Sequence, residues 1–158
     1  MRASPWVALG LLMPAAPAAA GDFGPADQVH VAYNRTAERI DSASRMTPGK
    51  CEDRAARYCD YTVTGSLAVV ATSPPRALGK AQIITLIYAK GSDIDAFIGA
   101  IGLAMATWSP FTTAEQRGAA LKALTGTPQR RAVLAGVEYR LSTSPETGVV
   151  LTLVPTEG

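Results

Sequence analysis

The chain has 158 residues, 15 Lys+Arg against 13 Asp+Glu and a formal net charge of +2, which is one domain's length and close to neutral. Nucleic acid is excluded as the expected partner, because that binding draws mainly on clustered cations and the sequence has no basic tract. Two cysteines and a single histidine are a poor start for a structural zinc site, which needs four ligands.

The N-terminus reads MRASPWVALGLLMPAAPAAAGDF. One cation, Arg2, precedes an uncharged run from Ala3 to Gly21 that ends in small residues. That is the layout of a secretory leader with an A-x-A site at Ala18 and Ala20. The expectation is that residues 1–20 are removed and that 21–158 form a single globular domain, exported to a bacterial periplasm or the extracellular space. The alternative is a retained membrane anchor, but Pro5, Pro14 and Pro17 interrupt the run, and a spanning helix wants about 20 apolar residues in sequence.

In PADQVHVAYNRTAERIDSAS, Val29, Tyr33, Ala37 and Ile40, with Ala32 and Ala43, recur at helical spacing, while Arg35, Glu38, Arg39 and Asp41 take other faces. This predicts an amphipathic helix, with Pro25 suited to its first position. His30 lies beside the stripe and is expected to be partly exposed rather than a ligand. The sequon at Asn34 falls within this helix and is discounted.

PGKCEDRAARYCDY holds Cys51 and Cys59. In an exported domain the pair reads as a structural disulfide, since a redox pair normally has two residues between its cysteines. Eight residues of α-helix would advance about 12 Å, whereas bridged Cα atoms lie within about 7 Å. The segment must therefore turn, and the bridge is expected to act as a clasp before the first strand, stabilising by ~2–3 kcal/mol in the chain-entropy model. Arg54 and Arg57, beside Glu52 and Asp53, form a charged cluster that reads as a candidate recognition loop or as an ordinary surface turn.

DYTVTGSLAVVAT alternates, with Tyr61, Val63, Leu67, Val69 and Ala71 on one side, which predicts one half-buried strand with Gly65 marking a bulge or the close approach of a helix. After a turn at SPPRALG, KAQIITLIYAK is apolar on both faces, as an interior strand would be. Ser92 and Asp95 resemble a capping box. The helix they open is uncharged from Ala96 to Ser109. It reads as a core helix, with Gly99 and Gly102 permitting close packing, or as a membrane-touching face. Trp108 and Phe111 could line a partner-binding groove. A second helix follows, with capping signals at Thr112/Glu115 and Thr113/Gln116, Leu121 and Leu124 inside, and Gly126 as a stop. RAVLAGVEYRLSTS then places Val133, Val137, Tyr139 and Leu141 on one face, and SPETG joins it to GVVLTLVP as a hairpin.

The fold class is α+β: an N-terminal helix, a β-hairpin, two helices and a second β-hairpin, with a four-stranded, mainly antiparallel sheet and helices packed on one face. Chemistry is sparse. TPGKC lacks the first glycine and the Ser/Thr of a phosphate-binding loop, and no G-x-S-x-G elbow accompanies His30. Asp93 and Asp95 suit a helix start, and Glu38 and Asp41 have Arg35 and Arg39 beside them. The expectation is therefore no catalytic set, no metal and no cofactor, in an exported protein that binds a protein partner as an inhibitor, immunity factor, chaperone or assembly subunit. Arg54, Arg57, Trp108 and Phe111 are the candidate contact residues. The alternatives are a membrane-associated envelope protein using residues 96–109, and an enzyme whose carboxylates or hydroxyls assemble only in three dimensions.

Overall fold

A computed structural model describes residues 21–64, 67–89 and 93–156. The leader read in residues 1–20, the bulge at Gly65 and the cap at Ser92 lie outside the described residues. In chain order the elements are α1 (Val29–Arg39), β1 (Met46–Asp53), β2 (Arg57–Val63), β3 (Leu67–Ser73), a 3-10 turn (Pro75–Ala77), β4 (Ile83–Tyr88), α2 (Ile94–Trp108), α3 (Ala114–Gly126), β5 (Arg131–Leu134), β6 (Val137–Ser144) and β7 (Gly148–Pro155). The fold is α+β, with three helices among the described residues and one antiparallel sheet ordered β1-β2-β3-β4-β7-β6-β5.

The sheet has seven strands, not four. Two of the extra strands come from runs that hide a chain reversal. In DYTVTGSLAVVAT, Val63 pairs with Leu67. Their even separation keeps both on the same face, so the alternation passes through the turn without a break in phase. In RAVLAGVEYRLSTS, Leu134 pairs with Val137 around Ala135 and Gly136, whose φ angles are 46° and 78°. Positive φ at both central residues is what a two-residue hairpin with the twist of its strands requires. That separation is odd, so Leu134 turns inward and Val133 moves outward to face Glu138. The third extra strand, β1, carries Pro48, Gly49 and charges and buries only Met46. Such a sequence is tolerated because β1 is an edge strand.

Alternation sorts the rest of the sheet. Cys59, Tyr61 and Val63 on β2, Leu67, Val69 and Ala71 on β3, Ile84 and Leu86 on β4, Val137 and Tyr139 on β6, and Leu151 and Leu153 on β7 share one buried cluster with Val29, Tyr33, Phe97, Ile101, Met105, Trp108 and Leu124 from the helices. Gly148 closes the last hairpin at φ 83°. A Cβ there would run into the Tyr88 carbonyl oxygen, so only glycine lets β7 start beside the end of β4.

The uncharged run in α2 is spent on this core: Phe97, Ala100, Ile101 and every residue from Leu103 to Trp108 are buried. No helix among the described residues is long and apolar enough to cross a membrane. The cap of α2 is Asp93, whose carboxylate accepts the Asp95 and Ala96 amides at 2.9 and 3.3 Å. The expected box at Thr113 and Gln116 is present, with both of its hydrogen bonds, at 2.8 and 3.2 Å. The first helix starts later than Pro25, which instead bridges to Lys80. Its buried stripe stops at Ala37, leaving Ile40 and Ala43 exposed.

Gly99 and Gly102 do not serve close packing, since a Cβ at either would meet nothing within 4 Å. Gly99→Ala is therefore expected to raise stability by about 0.5–1 kcal/mol through helix propensity alone, read as a higher urea midpoint. A lowered midpoint would mean that something covers this side of α2.

Candidate functional site

Cys51 and Cys59 are bonded, with Cα atoms 4.0 Å apart. They are direct cross-strand partners of β1 and β2, so the bridge ties an edge strand to its neighbour. Arg54 sits in the turn beyond them. Its guanidinium pairs with the Glu52 carboxylate. The Arg57 guanidinium reaches Asp27 at 3.5 Å and Asp53 at 3.9 Å. These two arginines line one open cleft of about 280 Å³ with Asp53, Ser73 and Pro74. Each already has a carboxylate, so the turn offers a partner little uncompensated charge.

Trp108 and Phe111 are not brought together. Trp108 is 2% exposed, with its ring 5.9 Å from Phe23 in an edge-on contact and 6.3 Å from Tyr33. It clamps the segment before α1, and α1 itself, against the end of α2. An indole at that depth has no surface for a partner, so Trp108 belongs to the core. Phe111 stands 67% exposed in the turn between α2 and α3.

A site that sequence reasoning missed lies between α2, α3 and the helix-facing side of β6 and β7. It is a groove of about 330 Å³ lined by Ile94, Phe97, Ile98, Ile101, Leu121, Leu124 and Leu141, with Arg130 the one charged side chain in its wall. Ile94 and Ile98 rim it at 50% and 43% exposure. They are spaced i, i+4, so they share a face at the start of α2. The available signal was that the apolar run of α2 is wider than one stripe. Thr125 and Thr143 also line it, and an apolar groove with a few polar groups is the usual form of a binding site. Arg130 adopts φ 46°, a left-handed backbone that non-glycine residues seldom hold.

Two polar clusters hold the β5–β6 hairpin. The Ser109 hydroxyl donates to the Leu134 carbonyl at 2.7 Å, and the buried Tyr139 hydroxyl lies 2.9 Å from the same Ser109 oxygen. With its own proton used, Ser109 accepts from Tyr139. Burial pushes the Tyr139 phenol up to about 12, the serine bond opposing it. On the other side of β6, Glu138 is 6% exposed and accepts two bonds from Arg140, at 2.7 and 2.8 Å, while also pairing with Arg131. The Arg140 hydrogen bonds hold its carboxyl below the ordinary 4.5, against the opposing effect of burial and with further help from Arg131.

Among the described residues no group of three or more His, Cys, Asp or Glu could hold a metal. His30 is partly buried, its ring 5.7 Å from that of Tyr61. Comparison with protein-family models, with curated proteins and with solved structures finds no match.

Trp108→Ala is expected to cost about 3–5 kcal/mol, as for a large buried aromatic, and Phe111→Ala less than about 0.5 kcal/mol, both read by urea denaturation. Equal losses would contradict the division between core and surface. Because the Glu138 carboxyl is held down in the folded state, its contribution is complete above the ordinary value of 4.5 and fades as pH falls through the lower folded value. Glu138→Gln is therefore expected to flatten the acid limb of a stability-against-pH curve. An unchanged limb would contradict the assignment.

Proposed function

We propose that the protein is an exported, non-enzymatic binding module whose ligand is a protein partner, and that the partner seats apolar side chains in the groove between α2, α3 and the sheet. The observation that carries this reading is the pair Ile94 and Ile98, half-exposed at the rim of an apolar groove that has a single cation, Arg130, in its wall. Apolar side chains left in water at the mouth of a concave site favour an apolar occupant. Arg130 has no ion pair among the described residues, so a carboxylate beside the partner's apolar anchor would complete the site. The disulfide is compatible with an oxidising compartment. The leader-like N-terminus supports export.

A membrane-touching use of residues 96–109 has less support, because residues 97, 100, 101 and 103–108 are buried. The cleft beside Arg54 and Arg57 is the most polar alternative, but its cations face carboxylates of the same chain.

The test is crosslinked capture from the host's envelope with the tagged protein, beside Ile98→Glu and an Arg54→Ala/Arg57→Ala double variant. The wild type is expected to bring down one dominant protein. Ile98→Glu is expected to reduce its recovery by about tenfold or more, as for loss of an anchor contact, and the double variant to leave it near the wild-type level. Equal recovery with Ile98→Glu, or recovery lost only in the arginine variant, would move the site to the charged turn.

A further inference from the structure

The face of the sheet turned away from the helices belongs to none of the buried cluster. Its three central strands present Ala68, Val70 and Thr72 from β3, Ile83, Thr85 and Ile87 from β4, and Val150, Thr152 and Val154 from β7, every one exposed or half-exposed. Antiparallel sheets commonly leave one face to water, and that face is then polar. Here it holds no charge across three strands. A contiguous apolar patch of this size on a soluble domain marks an interaction surface.

The charges that flank this patch say what covers it. The register gives a single row across the sheet: Asp60, Val70, Thr85, Thr152, Arg140 and Arg131 are successive partners on β2, β3, β4, β7, β6 and β5. Asp60 has no ion pair among the described residues. At the other end, Arg131 and Arg140 share the one carboxylate of Glu138, which leaves that cluster with a net positive charge. Strand β4 is fourth of the seven, so β2 and β6 lie equally far from it, about 9–10 Å to either side.

We propose that a second copy of this chain packs against this face, about a two-fold axis that runs along β4. Such an axis exchanges the two sides of the sheet while keeping each row at its own level. Asp60 of each copy then meets Arg140 of the other, and Thr85 meets its own counterpart on the axis. An isologous interface needs this kind of self-complementarity, and stacked sheets pack face to face about 10 Å apart with their strands roughly aligned. Seven strands and three outward rows give roughly 500 Å² per copy, or roughly 1,000 Å² in all, at the lower bound for a specific interface. The groove opens on the helix-facing side, so this inference stands apart from the partner proposed above.

The experiment is the mass of the purified protein by size exclusion with light scattering, for wild type, Asp60→Arg, Arg140→Asp and an equimolar mixture of the two variants. The wild type is expected to be a dimer at micromolar concentration. Each variant alone sets like charges opposite one another twice per dimer, and its dissociation constant is expected to rise on the order of a hundredfold. The mixture pairs one copy carrying two arginines with one carrying two aspartates, and is expected to regain the dimer mass. A monomeric wild type at high micromolar concentration would overturn the proposal. So would single variants that remain dimeric, or a mixture that stays monomeric. Circular dichroism checks that both variants fold. Should Arg140→Asp fail because of Glu138, Thr85→Arg on the axis takes its place, and a dimer that survives it overturns the proposal equally.

Discussion

Every part of this molecule depends on which residues of the central strands face the helices. In β4 and β7 the two-residue period sends Ile84, Leu86, Leu151 and Leu153 into the core. The same period sends Ile83, Thr85, Ile87, Val150, Thr152 and Val154 outward. A register slip of one residue would exchange the two sets, but it would also carry Glu138 and Arg140 inward on the neighbouring β6. Burying those charges without water costs far more than the apolar residues could return. The charged residues of the flanking strands therefore fix a register that the centre alone leaves open, since its two sides are almost equally apolar.

The helical side is held by a few large contacts. Trp108 joins the segment before α1, α1 and α2 through Phe23 and Tyr33, and the Tyr61 hydroxyl donates to the Ala26 carbonyl, tying β2 to the same segment. At the next residue Ser109 caps α2, and its bonds to Leu134 and Tyr139 tie the same end of the helix to the β5–β6 hairpin. Both seams hold the C-terminal end of α2, while at its start Ile94 and Ile98 stay half-exposed at the rim of the groove. The disulfide contributes at a different place, pinning the least buried strand to the sheet.

Much of the fold was legible in the sequence, though not its strand count. The α+β class, the disulfide, the core role of α2, the capping box at Thr113 and the last hairpin all follow from local signals. Strand count failed where local signals are silent. Alternation reports which face a residue takes and not which way the chain runs, so the even-numbered step from Val63 to Leu67 hid one hairpin. The Ala-Gly turn at 135–136 lacks the Asn or Asp that usually marks such a turn. Strand β1 was masked by the proline, glycine and charges that suit an edge. For the candidate contacts, Trp108 misled because a large aromatic near a helix end reads alike whether it caps a core or lines a groove. Arg54 and Arg57 stood out in the sequence as charge beside Glu52 and Asp53, which do pair with them, but Asp27 becomes a neighbour of Arg57 only through the fold. Ile94, Ile98 and Arg130 come together from separate elements, and no one-dimensional pattern brings them into one wall.

The most direct measurement is methyl NMR of the Asp60→Arg variant, in which the proposed pairing of copies is broken, with a soluble paramagnetic agent, because it reads the two sides of the sheet separately. The account predicts that the methyl signals of Val70, Ile83, Ile87, Val150 and Val154 broaden strongly, while those of Val69, Ile84, Leu86, Leu151 and Leu153 remain sharp. Equal protection of both sets would mean that a layer covers both faces, and would contradict the one-sided core from which the groove, the open face and their proposed uses are argued.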